Sequence, residues 1–345
     1  MSQQWPGGLI RKTPPTPTGP YQDGTAPGVW TLDQMNYWLK QGLWPIAGNI
    51  NVRGVFGGGS PDTNVIQYVQ IGTLGNTTDF GDLTSARSDL SACGSSTRGV
   101  FSGGSATFTP DVMDYITIAS TGNATTFGTL DSTPGKYEAC GFNSTTRGIF
   151  SGGRSSTTSP VNTIFYITIA STGDAVSFGQ LTVARRKVSG FSSSTRGITV
   201  AGRTASAAVN VIDYITIAST GNATDFGDTS QEIWVTSGAS SSTRGLIFGG
   251  RNGSSVFQNT IEYVTIASTG NTTDFGDLST ATDGGAATSN STRAIVALGA
   301  TNVPVSLNTI EYVTIATTGN SLDFGDLIAA IKWEAATSNG NGGLQ

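Results

Sequence analysis

One phrase recurs six times along this chain, and its period constrains the fold more than any other feature. Its tyrosines stand at Tyr68, Tyr115, Tyr166, Tyr214, Tyr263 and Tyr312, spaced 47, 51, 48, 49 and 49 residues apart. The phenylalanines of a following Phe-Gly keep step at Phe80, Phe127, Phe178, Phe226, Phe275 and Phe324. An arginine, usually within Thr-Arg-Gly, precedes each copy. A fixed period of this length marks a repeat architecture, in which each copy is one supersecondary unit buried against its neighbours.

Within a copy the pattern reads as four strands. In the stretch from Val235 to Leu278 the first covers about 235–241, and a Ser-Thr-Arg-Gly turn leads to the second, 246–248, which ends at Gly249-Gly250. A variable loop reaches the third, 261–267, and a Ser-Thr-Gly-Asn turn leads to the fourth, 273–278. The Gly-Asn pair is expected to supply the positive backbone angles of a tight hairpin. The third strand carries Tyr263 on one face and Val264 and Ile266 on the other. A sheet wetted on one side would alternate, so this strand belongs to a sheet sandwiched between two similar sheets. Blades of a propeller have that environment.

Composition supports an all-β chain and removes several chemistries. Glycine numbers 47 and charged residues are 12% of the 345, a turn-dense makeup with few charges. The net charge of −5 offers no general field for nucleic acid or an anionic membrane, and no run is long and apolar enough to span one. Histidine is absent, which excludes Ser-His-Asp catalysis and His-ligated metal sites. No cofactor or metal is expected. Cys93 and Cys140 occupy the same Ala-Cys-Gly phrase in successive copies. They read as two buried thiols, a bridge being open only if their Cα atoms lie within about 7 Å.

The Gly-Gly after the second strand, the Tyr of the third, the aromatic of the fourth, and linker cations such as Arg87 and Arg185 together resemble kelch repeats over residues 51 to about 340. The resemblance implies a six-bladed β-propeller of four-stranded blades. Phe stands where kelch repeats place Trp, and Ala201-Gly202 and Leu298-Gly299 replace the double glycine. Phase indicates how the ring closes. The first copy begins at its second strand, about 54–56, whereas a surplus first-strand phrase, about 332–339, follows the sixth. Pairing the two removes the free sheet edges of an open array. The expected organisation is an arm over 1–50 and a propeller over 51–345.

Repeated motifs read as structure. Asp79-Phe80-Gly81 and its copies resemble a kinase magnesium motif, but no phosphate loop accompanies them and they recur from blade to blade. Arg53, Arg98, Arg147, Arg196, Arg244 and Arg293 would form a ring able in principle to grip an anion. Their equivalent settings point instead to local bonds with backbone or nearby Asp. Asn-x-Thr phrases such as those at Asn76 and Asn222 match glycosylation acceptors yet sit in turns, with no signal peptide expected at the N-terminus.

Copies differ where a propeller would gather its second-to-third loops and its linkers between blades. The loops carry Arg154, Arg203 and Arg251 directly after the double-glycine positions, with Phe108, Asn252 and Phe257 nearby; the linkers carry Lys136, Tyr137, Arg186, Lys187, Trp234 and Trp333. Rings beside cations suit a glycan or a protein epitope. This face is the expected ligand face. Ordinary loop drift with solvated charges is the competing reading.

The first 50 residues hold seven of the twelve prolines and four of the six tryptophans, a makeup that favours an extended arm. One short helix is expected over about 31–41, capped by Thr31, with Leu32, Met35, Trp38 and Leu39 on one face. Trp5-Pro6-Gly7-Gly8, Ala26-Pro27-Gly28-Val29-Trp30-Thr31-Leu32, Trp44-Pro45 and phrases like Tyr214 to Asn222 resemble structural proteins of tailed bacteriophages, marine and cyanobacterial ones in particular. That resemblance implies a virion component made in the host cytoplasm, a homo-oligomer such as a trimer. Trp5, Trp30, Leu32, Met35, Trp38, Leu39 and Trp44 would anchor it, and its propeller would attach to a host surface or decorate the particle. An intracellular kelch-like scaffold is the alternative. A glycan-active enzyme is a weaker one, with only Asp62, Asp111 and Glu232 scattered as candidate carboxylates.

Overall fold

The computed structural model describes residues 52–344, except 106–110, 131–135, 156–158 and 304. The arm and its expected helix lie outside the described residues. The chain forms six antiparallel sheets arranged as a ring, a six-bladed β-propeller. Blade 5 is typical, with strands Ser237–Ser240, Arg244–Phe248, Gln258–Thr265 and Thr273–Thr282 running from the axis outward. In blade 1 the innermost strand is Ala335–Ser338, which pairs with Arg53–Gly57 in the register Gly54↔Ser338 to Gly57↔Ala335. The chain's two ends thus share one sheet. Asn339 Oδ1 accepts the Arg53 N–H at 2.8 Å, as Ser95 Oγ accepts that of Arg98 within the continuous turn of blade 2.

Six apolar clusters lie at the six seams between blades. Between blades 4 and 5, Phe191, Ile198, Ile212 and Phe226 pack against Ile247, Val264 and Ile266. Tyr263 turns the other way, into the cluster shared with Ala294, Val296 and Val313 of blade 6. The third strand is therefore buried on both faces, as its sequence implies. Each fully buried Ile or Phe in such a seam contributes about 1.5–3 kcal/mol.

The repeated residues tie each blade to the next. Each of the six repeat arginines donates from Nη1 to a carbonyl at the end of the next blade's third strand, at 2.8–3.0 Å, the sixth closing the circle from Arg293 to Ile71. The same guanidinium lies 4.2–4.7 Å over its own blade's tyrosine ring. That ring meets the Phe-Gly phenylalanine edge-on at 5.8–6.2 Å. These bonds are to backbone, as expected, but they cross between blades and are not local.

The Gly-Asn turn differs from the tight hairpin expected. In blade 5 seven residues separate Thr265 from Thr273, and Asn271 has no positive φ. Instead its Oδ1 accepts the Asp228 N–H of blade 4 at 3.0 Å. Asn76, Asn123, Asn222 and Asn320 act alike, and Asp174 takes the place in blade 3. Beside them the turn glycine donates to the Phe carbonyl of the preceding blade, from Gly75 to Phe324 round to Gly319 to Phe275. Gly81 keeps φ at 144° and lies so near the Gly122 carbonyl that a Cβ would collide with it. The Phe-Gly glycine is thus a seam requirement.

At the axis the innermost strands are built from small residues. Ser192, Ser240, Ser289 and Ser338 each donate from Oγ to the equivalent carbonyl of the preceding blade at 2.6–2.8 Å. On the turn face the channel is stoppered by a 3₁₀ turn, Gly342–Leu344, with Asn341 exchanging bonds with Asn143 at 3.0 and 3.3 Å. Cys93 and Cys140 are free and buried. Burial pushes both thiols up, that of Cys140 to about 12, so neither is poised for reaction.

Candidate functional site

At the opposite end of the channel, each linker residue that enters an innermost strand adopts a left-handed conformation. Asp89, Glu138, Lys187, Val235, Gly284 and Trp333 have φ between 51° and 66°. Their backbones form a closed circle: Asp89 donates to Trp333, Glu138 to Asp89, Lys187 to Glu138, Val235 to Lys187, Gly284 to Val235 and Trp333 to Gly284, at 2.6–3.4 Å. The left-handed state is costly for L-residues, most of all for a β-branched one such as Val235. Six bonds acting together hold it. The side chains carried on this circle are all different.

They also fill the mouth. Lys187 Nζ reaches Asp89 at 2.9 Å and Glu138 at 3.4 Å, and lies 4.3 Å over the Trp333 ring contributed from across the circle. Burial pushes the Asp89 carboxyl up and the Lys187 charge pulls it back. A Cβ on Gly284 would strike the Trp333 indole, so the glycine leaves room for that ring. Lys332 covers the ring at 4.3 Å as well. With the 3₁₀ turn at one end and this plug at the other, the channel is closed among the described residues.

Outside the mouth, the linkers pair with the residues that follow the double glycines, one pair per blade. In blades 1, 2 and 6 the second partner is small: Ser60, Ser105 or Ala300. In blades 3, 4 and 5 it is an arginine, giving Tyr137 with Arg154, Arg186 with Arg203, and Trp234 with Arg251. Arg154 stacks on Tyr137 at 4.2 Å; Arg203 and Arg251 flank Trp234 at 5.1 and 5.5 Å; Arg251 also covers Phe257 at 4.3 Å. The result is an arc over half the loop face in which four guanidiniums lie among three rings, Arg154, Arg186 and Arg203 falling between Tyr137 and Trp234. Its cations remain partly exposed, with side-chain exposures of 22% for Arg154, 24% for Arg186 and 29% for Arg251.

Some of these charges are already paired. Glu138 Oε2 takes Arg154 at 3.1 Å and Arg186 at 2.9 Å, and Asp283 takes Arg251. Arg203 has no carboxylate ion-pair partner among the described residues.

Of the residues singled out in the sequence, the arc unites Tyr137, Arg154, Arg186, Arg203, Trp234, Arg251 and Phe257. Four others among the described residues fall outside it. Lys136 is buried at 4%, its Nζ 3.8 Å over the Phe165 ring and bonded to Thr163, because the linker turns it into the seam between blades 2 and 3. Lys187 and Trp333 belong to the mouth. Asn252 accepts the Ser254 and Val256 N–H groups, each at 3.0 Å, and so builds its own loop. Phe108 lies outside the described residues, as do Trp5, Trp30, Leu32, Met35, Trp38, Leu39 and Trp44. Asp89, Glu138 and Asp283, which orient the cations, escape a search by residue type; a spacing of 48 or 49 residues around the circle finds Asp89 and Glu138, and Asp283 directly precedes the circle's Gly284.

Two further linker cations are structural. Arg87 pairs with Asp114 at 2.7 Å and Arg185 with Asp213 at 2.9 Å, all four side chains fully buried. Thr84 and Thr182 complete the two carboxylates. Removing one partner would strand a buried charge, at a cost of about 3–5 kcal/mol.

Fold and site together define a closed six-bladed propeller whose loop face carries an arginine and aromatic arc confined to three of its blades. No family model matches the chain, and no curated protein matches it.

Proposed function

We propose that this chain is a non-enzymatic attachment protein of a tailed-bacteriophage virion, in which residues 1–50 anchor it to other virion proteins and the kelch-like propeller meets the host surface or decorates the particle. The virion assignment rests on the likeness of the Pro- and Trp-rich arm and of the Tyr-Ile-Thr-Ile-Ala-Ser-Thr-Gly-Asn phrase to phage structural proteins. The attachment role rests on one observation. Residues that repeat six times are engaged between blades, whereas the partly exposed cations and rings that do not repeat are gathered on one face.

A projecting virion part follows the symmetry of the particle, so the working form is a homo-oligomer, with a trimer as one such form. The closed channel favours binding on the face over binding along the axis. Among the carboxylates considered for glycan hydrolysis, Asp62 accepts a bond from Ser88 at 2.7 Å and Glu232 projects from the outer strand of blade 4, in separate parts of the ring. A hydrolase needs two carboxyl groups flanking one bond. Mass spectrometry of purified particles against a lysate of infected cells tests the assignment. Enrichment of this chain in the particle is expected, and its absence there overturns the reading in favour of an intracellular scaffold.

A further inference from the structure

The three arginines that follow the double-glycine positions occupy one structural position on three neighbouring blades, and the other three blades have Ser, Ser and Ala there. The arginines are therefore dispensable for the blade and local to one half of the face. Their partners across the short pairings add a fourth guanidinium, Arg186, and two rings, Tyr137 and Trp234. Donors exceed acceptors along this arc. The Nε groups of Arg186 and Arg203 are buried with no hydrogen-bond partner among the described residues, and the carboxylates of Glu138 and Asp283 serve only three of the four guanidiniums.

We propose that this arc over blades 3 to 5 binds an acidic glycan, the sugar faces stacking on Tyr137, Trp234 and Phe257 while carboxylate or sulfate groups are taken by Arg203 and its neighbours. The assignment rests on the attachment reading and names the ligand class of that face. Planar guanidiniums match the two-oxygen geometry of carboxylate and sulfate, and aromatic plates match the apolar face of a pyranose. Rings and guanidiniums interspersed along one arc fit a polymer that carries both sugar faces and acid groups. A protein partner would instead call for a centre depleted of charge, whereas this arc carries four guanidiniums. Nucleic acid carries a denser charge than a uronate chain, and it would approach a chain whose net charge is −5.

Arg203 decides the matter, since it lies beside the Trp234 ring and has no carboxylate partner among the described residues. Full-length protein is titrated by calorimetry with polygalacturonate, dextran sulfate, uncharged dextran and a single-stranded oligonucleotide, at low and raised salt. Binding of one or both acidic polysaccharides, weakening with salt, is expected, and the stronger of the two names the acid group. Arg203→Gln and Trp234→Ala should each weaken it about tenfold, as for loss of one charge-assisted bond or one stacked ring. Arg203→Lys should fall between Arg203→Gln and the parent. Melting midpoints measured alongside separate lost contacts from lost fold.

The proposal is overturned if neither acidic polymer binds, if uncharged dextran or the oligonucleotide binds as well as they do, or if a folded Arg203→Gln protein binds like the parent. Adsorption of particles to the cells they infect separates the two levels. Adsorption reduced by the arc variants without any acidic-glycan binding overturns the ligand class and leaves attachment standing. Adsorption that survives deletion of residues 52–345 overturns attachment itself.

Discussion

The two faces of the ring treat the same residue type in opposite ways. On the turn face, Arg196 occurs in six equivalents, and each bonds the next blade and stacks on a tyrosine. On the loop face, Arg203 occurs in three equivalents, bonds no neighbouring blade's carbonyl among the described residues, and lies beside a tryptophan that one blade supplies. Six-fold recurrence is what a closed ring demands, since every seam must be held alike. Recognition demands that one sector differ from the others. Stability resides on the turn face, and on the proposed reading binding resides on the loop face.

The hardest way to break the turn face is to open the ring. Deleting residues 332–345 removes the strand paired with Arg53–Gly57, the Asn339 cap and the axial 3₁₀ turn, and exposes sheet edges in blade 1. A loss of at least about 5 kcal/mol, or failure to fold, is expected from removing one element of a cooperative array. Thermal unfolding at the parent's midpoint would show that the ring is not closed by this strand.

A smaller effect concerns Glu334 in the same closing strand region. The residue is 5% exposed, both carboxyl oxygens are buried with no hydrogen-bond partner among the described residues, and burial pushes the pKa up to about 8 from 4.5. Between those values the folded chain holds a proton that the unfolded chain has released. Its stabilising protonation is therefore complete below about pH 4.5 and is lost as pH rises toward 8. Glu334→Gln should remove that slope and stabilise the protein near pH 8 by on the order of 2–4 kcal/mol. Melting midpoints across the pH range check this; parallel curves for parent and variant would refute it.

Next comes the close approach of blades 4 and 5. A Cβ on Gly245 would overlap the Phe191 ring, so Gly245→Val forces the strands apart at a cost of about 1–3 kcal/mol. Chemical denaturation measures the loss, and an unshifted midpoint would mean that the seam yields freely.

The propeller was legible in the sequence because its period is carried by residues with one job each: Tyr and Phe for the seam, Arg for the rivet, Gly where blades touch. The two-sided burial of Tyr263 and Val264 reads directly from their apolar character on both faces of one strand. The Gly-Asn turn was misread because Asn serves both turns and hydrogen bonds, and only the ring brings Asn271 to Asp228. The site was half legible. Arg154, Arg203 and Arg251 stand out by position after the glycines, but the left-handed circle from Asp89 to Trp333 is defined by backbone angle, and unlike side chains conceal it. Lys136 looked exposed because linkers usually are; its four-carbon stem instead reaches under the sheet to Phe165.

The smallest effect on stability bears most directly on the division of labour between the faces. Arg196→Ala and Arg203→Ala remove the same side chain from opposite faces, and for each the melting midpoint and the binding of acidic polysaccharide are measured. Arg196→Ala should cost about 1–2 kcal/mol through its lost carbonyl bond and ring contact and leave binding intact. Arg203→Ala should stay within about 0.5 kcal/mol of the parent and weaken binding about tenfold. Equal effects of the two substitutions on both readouts would contradict the account.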